Sequence, residues 1–239
     1  MIILALDSTA KEAAAAVLSD GVCLAYASGA ARSGSEVLLP LAEATLSAAG
    51  KSPSELDLLA VAVGPGSFTG VRIGVSLAKG LAFGREIPCA PVSTTEALAE
   101  NLRPLGGIYC PVMDARRGEV YNALFRAERD GEGYRLLRLA PDRAISAEAL
   151  ADELRAEYAG EQILLVGDGV YVAEPVLSSR GLSLSALPDL LCRHSAVSVG
   201  RVGLRMARAG QTVSADSLAP TYLRQAQADE RVPTAKGRA

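Results

Sequence analysis

One glycine-rich stretch decides the fold, and it reads Ala62-Val63-Gly64-Pro65-Gly66-Ser67-Phe68-Thr69-Gly70-Val71-Arg72-Ile73-Gly74. It continues an apolar run over 57–63 that is typical of a buried strand, and it leads into a helix predicted over about 71–83. Backbone amides at such a junction can bind an anion at the helix N-terminus. Its glycines would equally allow a tight turn with positive φ and close packing. The residues alone leave both interpretations open.

The stretch matches none of the common phosphate or nucleophile motifs. Val71 and Arg72 follow its last glycine, where a Walker loop has Lys and Ser or Thr. Thr69 replaces the third glycine of the dinucleotide fingerprint. Pro65 and Thr69 occupy the glycine positions of a nucleophile elbow. The phosphate-binding candidates in this stretch are therefore vestigial ones: Gly64, Gly66, Ser67, Thr69 and Gly70.

Three apolar runs precede the glycine-rich stretch, and short turns separate them. The pattern predicts an antiparallel meander over 2–7, 13–18 and 22–27. The first turn begins with Asp7, Ser8 and Thr9, which could face a metal-bound phosphate, or could form a polar turn that bonds its own backbone.

The order of predicted elements indicates two related lobes. Helices over about 35–49, 71–83 and 94–102 alternate with strands in the first half, which predicts a mixed sheet covered by helices. A Pro- and Gly-containing segment at 103–107 marks the expected boundary. We therefore expect a first lobe at 1–103 and a second lobe at 104–228. We assign a last helix over about 195–209 to the second lobe, and expect a flexible tail over 229–239.

Composition excludes several classes of function. The net charge of −3 argues against a protein that holds tRNA by itself. His194 is the only histidine, and the four cysteines are scattered, so we expect no metal site made from this chain alone. No apolar run approaches the roughly 18 residues of a membrane span, and the N-terminus has no basic leader. We expect a cytoplasmic protein with reduced cysteines.

A charged link joins two predicted strands of the second half. It carries Asp114, Arg116 and Arg117. Such a link is often a solvated hairpin, but its arginines could bind a carboxylate or phosphate if they project into a cleft between the lobes. Arg201, Arg205 and Arg208 form a stripe on the last helix, and we interpret it as a solvated face that tRNA or an acidic partner could use.

The glycine-rich stretch resembles the hallmark of the TsaB (YeaZ) family, and the resemblance covers nearly the whole chain. Four further segments agree with that family: 5–9, 38–40, 114–121 and 220–224. The resemblance implies an α/β fold of the actin, Hsp70 and sugar-kinase class, with two duplicated lobes of mixed sheets flanked by helices. TsaD relatives hold a metal through a His-x-x-x-His pair on the helix that corresponds to 35–49, which here has no histidine.

The resemblance also implies a role in making threonylcarbamoyladenosine beside the tRNA anticodon. It implies a non-catalytic subunit that pairs with TsaD, or with itself when alone, and works with the ATPase TsaE and with TsaC. ATP and metal are expected on TsaD and TsaE, and tRNA contact only through the complex. The alternative is an ATP-using enzyme of the same fold; a peptidase fails because the chain supplies too few metal ligands.

Two predicted helices have more apolar surface than one sheet can cover. In helix 35–49 the apolar residues span about 220°, roughly twice the stripe that packing on a single core requires. The helices over 35–49 and 71–83 could cover each other, or could form a patch for another subunit. The resemblance implies the second use. The residues that we expect at this interface are Leu38, Leu41, Leu46, Gly70, Ile73, Gly74, Leu77 and Ala78.

Overall fold

The computed structural model describes residues 1–30, 34–103, 105–131, 133–185 and 187–224. The first half forms a five-stranded mixed sheet in the order β3-β2-β1-β4-β5. Its elements are β1 (Ile2–Asp7), β2 (Glu12–Ser19), β3 (Val22–Ala30), α1 (Gly34–Ala48), β4 (Leu58–Gly64), α2 (Phe68–Ala82), β5 (Cys89–Ser93) and α3 (Thr94–Glu100).

The second half repeats this plan. Its sheet has the order β10-β9-β6-β7-β8, which is the first order read from the other edge. The elements are β6 (Ile108–Arg116), β7 (Glu119–Asp130), β8 (Gly133–Ser146), α4 (Ala147–Glu157), β9 (Ile163–Val166), α5 (Val170–Ser179), β10 (Leu184–Ser185), α6 (Asp189–Cys192) and α7 (Ala196–Arg208). In each sheet three antiparallel strands are followed by two parallel ones. The predicted duplication is confirmed.

Helices cover both faces of the first sheet, which explains why its strands are apolar almost without alternation. On one face, Leu4 and Val61 pack with Val71 and Val75 of α2 and with residues of α1. The opposite face forms a separate core. The strands β1, β2 and β4 are buried nearly throughout.

The helix α7 closes that opposite face, which corrects our domain assignment. Val199 and Val202 pack with Ile3, Leu18 and Ala60 of the first sheet. The helix therefore belongs to the first lobe, although it is encoded after the second. The helix predicted over about 195–209 is confirmed, but its periodicity does not say which sheet receives its apolar side.

The arginine stripe of α7 is only partly solvated. Arg205 forms an ion pair of 2.8 Å with Glu100, whose side chain is almost fully buried, and a second contact of 3.5 Å with Glu96. Arg201 and Arg208 are exposed as expected. Arg205 therefore joins α7 to α3, and the interpretation of a wholly solvated stripe is wrong at this position.

Most other element predictions agree with the structure to within a few residues. In the first lobe, α2 begins at Phe68, with Ser67 as its N-cap, which is three residues earlier than predicted. Within the described part of the chain, no helix has the length and apolar character needed to cross a bilayer. Pro104 and the tail predicted over 229–239 lie outside the described residues.

Candidate functional site

The two stretches that could face a phosphate pack directly against each other. The backbone N–H of Ser67 donates to the carbonyl of Thr9 over 2.7 Å. The hydroxyl of Ser8 donates to the carbonyl of Gly70 over 2.8 Å. Asp7, Ser8 and Thr9 are all buried. The structure thus brings together the candidates that the sequence separates by more than fifty residues.

Their packing is too close for a ligand to lie between them. A Cβ atom at Gly70 would lie 1.8 Å from the carbonyl oxygen of Ser8, and one at Gly66 would lie 2.6 Å from that of Thr9. The N–H of Gly70, which could have faced an anion, donates instead to the Ser67 hydroxyl over 3.2 Å. This geometry favours the close-packing interpretation of the glycines.

The remaining candidates of the stretch face other parts of the chain. Gly64 lies against the carbonyl of Thr221, to which a Cβ atom would come within 2.5 Å. Thr69 is exposed and lines a surface groove between α1 and α2.

Asp7 lies at the end of β1 and is paired with His194, the only histidine of the chain. One carboxylate oxygen accepts hydrogen bonds from the N–H (2.9 Å) and hydroxyl (2.7 Å) of Thr9. The other lies 3.4 Å from Nδ1 of His194, whose side chain is 7% exposed. The carboxylate that could have faced a metal-bound phosphate is therefore taken up by an internal cation.

Burial and ion pairing shift the pKa values of Asp7 and His194 in opposite directions. Burial by itself would raise the pKa of Asp7, but the contact with His194 and the Thr9 hydrogen bonds outweigh it and leave that pKa below its ordinary value. Burial would lower the pKa of His194, but Asp7, helped by Asp168 and Glu12, raises it above its ordinary value. The geometry therefore stabilises an ionised pair.

Two buried polar atoms, one of them in this pair, have no hydrogen-bond partner among the described residues. They are Nε2 of His194 and Oδ1 of Asp168. Asp168 follows β9, so it belongs to the second lobe, and its charge acts on His194 from across the boundary. No group of three or more His, Cys, Asp or Glu within the described residues could hold a metal ion.

The charged link of the second half is the turn between β6 and β7. Arg116 and Arg117 have positive φ values of 65° and 58°. The N–H of Arg116 donates to Oδ1 of Asp114 over 2.7 Å, and the other oxygen of Asp114 accepts from the hydroxyl of Tyr171. Asp114 therefore shapes the turn, while Arg116 is exposed. Ligand binding by the two arginines stays a prediction.

A surface groove of about 490 Å³ lies between α1 and α2. Leu39 projects into solvent beside it, with 43% of its surface exposed. Ile73 and Leu77 are half-buried, and Arg72 and Ser76 are exposed along its rim. The residues that line the groove are Leu38, Leu39, Thr69, Arg72, Ile73, Ser76 and Leu77.

The predicted interface set is corrected by this arrangement. Leu46 and Ala78 lie in the core under the helices. Gly70 and Gly74 face inward as well, and a Cβ atom at Gly74 would lie 3.1 Å from the Ser8 hydroxyl and 3.6 Å from Val61. The three small residues of α2, Gly70, Gly74 and Ala78, let that helix approach the sheet rather than a partner, and Leu46 of α1 packs into the same core. Leu38 is likewise fully buried, although it forms part of the groove wall, and Leu41 is half-buried against the core. Ile73 and Leu77 remain as half-buried residues that line the groove.

The segment 220–224 connects α2 with the second lobe. The N–H of Thr221 donates to the carbonyl of Val63 over 2.8 Å. The ring of Tyr222 packs against Phe68 at 4.6 Å between centroids. Arg224 donates to the carbonyl of Ala115 and pairs with Glu119, both over 2.9 Å. We call residues 220–224 the C-terminal strap.

Sequence reasoning missed His194, Arg72 and the strap as parts of these sites. The partners of His194 and of Tyr222 are remote in sequence, so no local pattern could have paired them. Leu39 offered a usable signal, because it belongs to an apolar surface wider than one core can cover, and a large apolar residue on such a surface is a candidate for contact with another molecule.

The two sheets of the same topology, with polar loops meeting where β1 and β4 end, define the actin, Hsp70 and sugar-kinase class of fold. Comparisons with known proteins narrow this class. The family model of TsaD, described as tRNA N6-adenosine threonylcarbamoyltransferase, matches residues 27–230. A transferase of that description from Nitratidesulfovibrio vulgaris (strain DP4) is 34% identical over 59% of this chain and 39% of its own length.

Full-length relatives have a different name. The tRNA threonylcarbamoyladenosine biosynthesis protein TsaB of Escherichia coli (strain K12) is 31% identical over 98% of this chain and 99% of its own length. TsaB of Bacillus subtilis (strain 168) is 30% identical over 97% of each. The solved structure of YeaZ from Pseudomonas aeruginosa has a TM-score of 0.75 at 28% identity, covering 93% of this chain and 99% of that one. The chain belongs to the TsaB family, within the broader group that the TsaD model describes.

Proposed function

We propose that this chain is a non-catalytic subunit in the synthesis of tRNA threonylcarbamoyladenosine, and that it acts by binding the TsaD homologue of the same cell. Its full-length relatives are named as biosynthesis proteins of that nucleoside. The groove between α1 and α2 supports the docking role. There Leu39, Ile73 and Leu77 expose apolar surface beside the exposed Arg72. Apolar grooves of this kind mark binding surfaces.

The loops between the lobes support the non-catalytic part of the proposal. The glycines of residues 64–70 pack on other backbone atoms, and Asp7 is occupied by His194. Phosphate transfer in folds of this class would need open amides and a carboxylate available to a metal. ATP and metal are therefore assigned to TsaD and to the ATPase TsaE, and this chain is proposed to bind neither alone.

The wider assembly follows from the same reasoning. TsaE and TsaC complete the proposed set of components, and the chain contacts tRNA through the complex, since its own net charge is −3. In the absence of TsaD we propose that two copies pair through the groove. A standard interface buries about 1,600 Å² in total, more than the groove alone provides, so the surrounding faces of α1 and α2 take part.

The test is one substitution on the groove with a matched control elsewhere. Leu39→Asp places a charge in the proposed contact, and Leu137→Asp places one at a leucine of similar exposure (43% against 39%) on β8. We expect Leu39→Asp to weaken binding to the TsaD homologue at least about 30-fold, since a central apolar contact is worth about 2 kcal/mol. Titration calorimetry measures this, and both variants should keep the wild-type melting temperature. Full-strength binding by Leu39→Asp would place the interface elsewhere.

A further inference from the structure

Arg72 stands at the rim of the groove, and its guanidinium is held in place before any partner arrives. Its Cζ atom lies 3.8 Å from the centroid of the Phe68 ring, and its Nε donates to the hydroxyl of Tyr222 over 2.9 Å. An arginine side chain that becomes ordered on binding loses much of its rotamer entropy. Stacking on Phe68 and the hydrogen bond to Tyr222 already order the Arg72 side chain in the free protein, so less entropy is lost when a partner binds.

The residue that fixes Arg72 is itself fixed from both lobes. Tyr222 lies in the C-terminal strap, which bonds to Val63 on one side and to Ala115 and Glu119 on the other. The tyrosine ring also stacks on Phe68 in the first turn of α2. The position of the guanidinium therefore depends on the closed arrangement of β4, α2 and the β6–β7 turn.

The charge of Arg72 is not neutralised by any described residue. Its recorded contacts are with Phe68 and Tyr222, and no carboxylate of the described chain pairs with it. Only Nε is occupied, so the donors on Nη1 and Nη2 remain available, and together they match the two oxygens of a carboxylate. The neighbouring Leu39, Ile73 and Leu77 would shield such a pair from water and strengthen it.

We propose that Arg72 selects the docking partner by charge: the groove accepts an apolar helix that carries an aspartate or glutamate, and this carboxylate binds the Nη1 and Nη2 edge of Arg72. The inference rests on the proposed docking function and adds the chemistry that the partner must present. A positive groove rim rejects helices of similar shape that carry lysine or arginine at that position. Arg72 is then the residue of this surface that determines specificity.

Binding of the purified TsaD homologue to charge variants tests the proposal. Arg72→Glu should weaken binding at least about 30-fold, as expected when a desolvated charge pair of about 2 kcal/mol or more becomes a repulsion. Arg72→Lys should lose about 5- to 10-fold, since the charge is kept while the two-pronged geometry is lost. The control Arg201→Glu makes the same charge change on α7, on the opposite face of the first sheet, and should bind like wild type.

Salt dependence gives a second measurement. Wild-type affinity should fall as the salt concentration rises, and Arg72→Gln should bind weakly with a flatter dependence on salt.

The variants of Leu39 and Arg72 together separate docking from charge selection. If Leu39→Asp abolishes binding while Arg72→Glu binds normally, the docking function is supported and charge selection by Arg72 is wrong. If both variants bind normally, the docking function itself is wrong. If Arg72→Glu impairs only self-association, the carboxylate belongs to a second copy and the proposal fails.

Discussion

Asp7 and His194 form a buried ionic pair at the end of β1, although most of the chain separates them in sequence. Asp7 is 2% exposed, and the His194 side chain is 7% exposed. Removing two charges from water is expensive, and the attraction between them compensates only if further hydrogen bonds complete the site. Thr9 supplies two such bonds to Asp7. The pair therefore holds the β1–β2 turn and the start of α7 in one arrangement.

The pKa shifts of this pair predict how stability changes with pH. The raised pKa of His194 contributes stability that is fully present below its ordinary value of 6.5 and is lost as pH rises through the raised value. The lowered pKa of Asp7 contributes stability above its ordinary value of 3.8, which is lost as pH falls through the lowered value. The pair thus stabilises the protein most between these two ordinary values.

We expect the unfolding free energy to fall between pH 5.5 and pH 8, and this slope to disappear in His194→Gln. Urea unfolding at several pH values measures it. His194 is the only histidine, so no other imidazole contributes. Ser195→Ala is the control, because the Ser195 side chain makes no capping hydrogen bond, and it should keep the wild-type slope. An unchanged slope in His194→Gln would show that the contact with Asp7 does not raise the pKa of His194.

Two glycines of α2 should respond oppositely to the same substitution. Gly70→Ala would push a methyl group to 1.8 Å from the carbonyl oxygen of Ser8, which backbone cannot accommodate without moving. We expect a loss of about 3 kcal/mol or more, at or above the upper range for overpacking. At Gly80 nothing lies within 4 Å, so Gly80→Ala should stabilise by about 0.5–1 kcal/mol through helix propensity. Denaturant titration of both variants measures the two changes in unfolding free energy, and equal changes would contradict the close contact between Gly70 and Ser8.

At the scale of single elements, periodicity located the helices but did not orient them. Apolar residues surround most of α1 and α2, so the pattern has no unique buried side. The small residues Gly70, Gly74 and Ala78 fit a close helix–helix contact and a close helix–sheet contact equally well. The structure shows the second, since these residues lie over β4 and the turn after β1. Orientation follows from tertiary packing, which a single helix sequence does not contain.

The contacts of the C-terminal strap, a segment without regular structure, could not be predicted from its local sequence either. The sequence identified 220–224 only as part of a family resemblance. The strap contacts Val63, Phe68 and the β6–β7 turn, all of which are about a hundred residues or more away in sequence. In the candidate site, the sequence identified two polar stretches but did not pair them. Asp7, Ser8 and Thr9 meet the glycine-rich stretch because β1 and β4 are parallel neighbours and their ends share one edge of the sheet.

At the scale of the whole molecule, the chain order and the spatial order of the lobes differ. The first lobe is completed by residues encoded after the second, since α7 covers one face of the first sheet and the strap donates a backbone hydrogen bond near the end of β4. The duplication itself could be predicted, because each half repeats the order of strands and helices. The packing of α7 on the first sheet could not be predicted, because the sequence of an amphipathic helix does not indicate which sheet its apolar side covers.

This arrangement predicts that the first lobe cannot fold as a contiguous fragment. Without α7, the face that contains Ile3, Leu18 and Ala60 would be exposed, and an open apolar face of this kind cannot offset the conformational entropy lost on folding. We expect residues 1–103 to show no cooperative thermal transition by circular dichroism. Joining residues 1–103 to residues 187–224 through a flexible glycine–serine linker should restore one. Val199→Asp in the joined protein should abolish it again, whereas Arg201→Asp, at an exposed position of the same helix, should not. Cooperative melting of residues 1–103 alone would mean that α7 covers a lobe that is already stable, and its place in the first lobe would then reflect docking rather than folding.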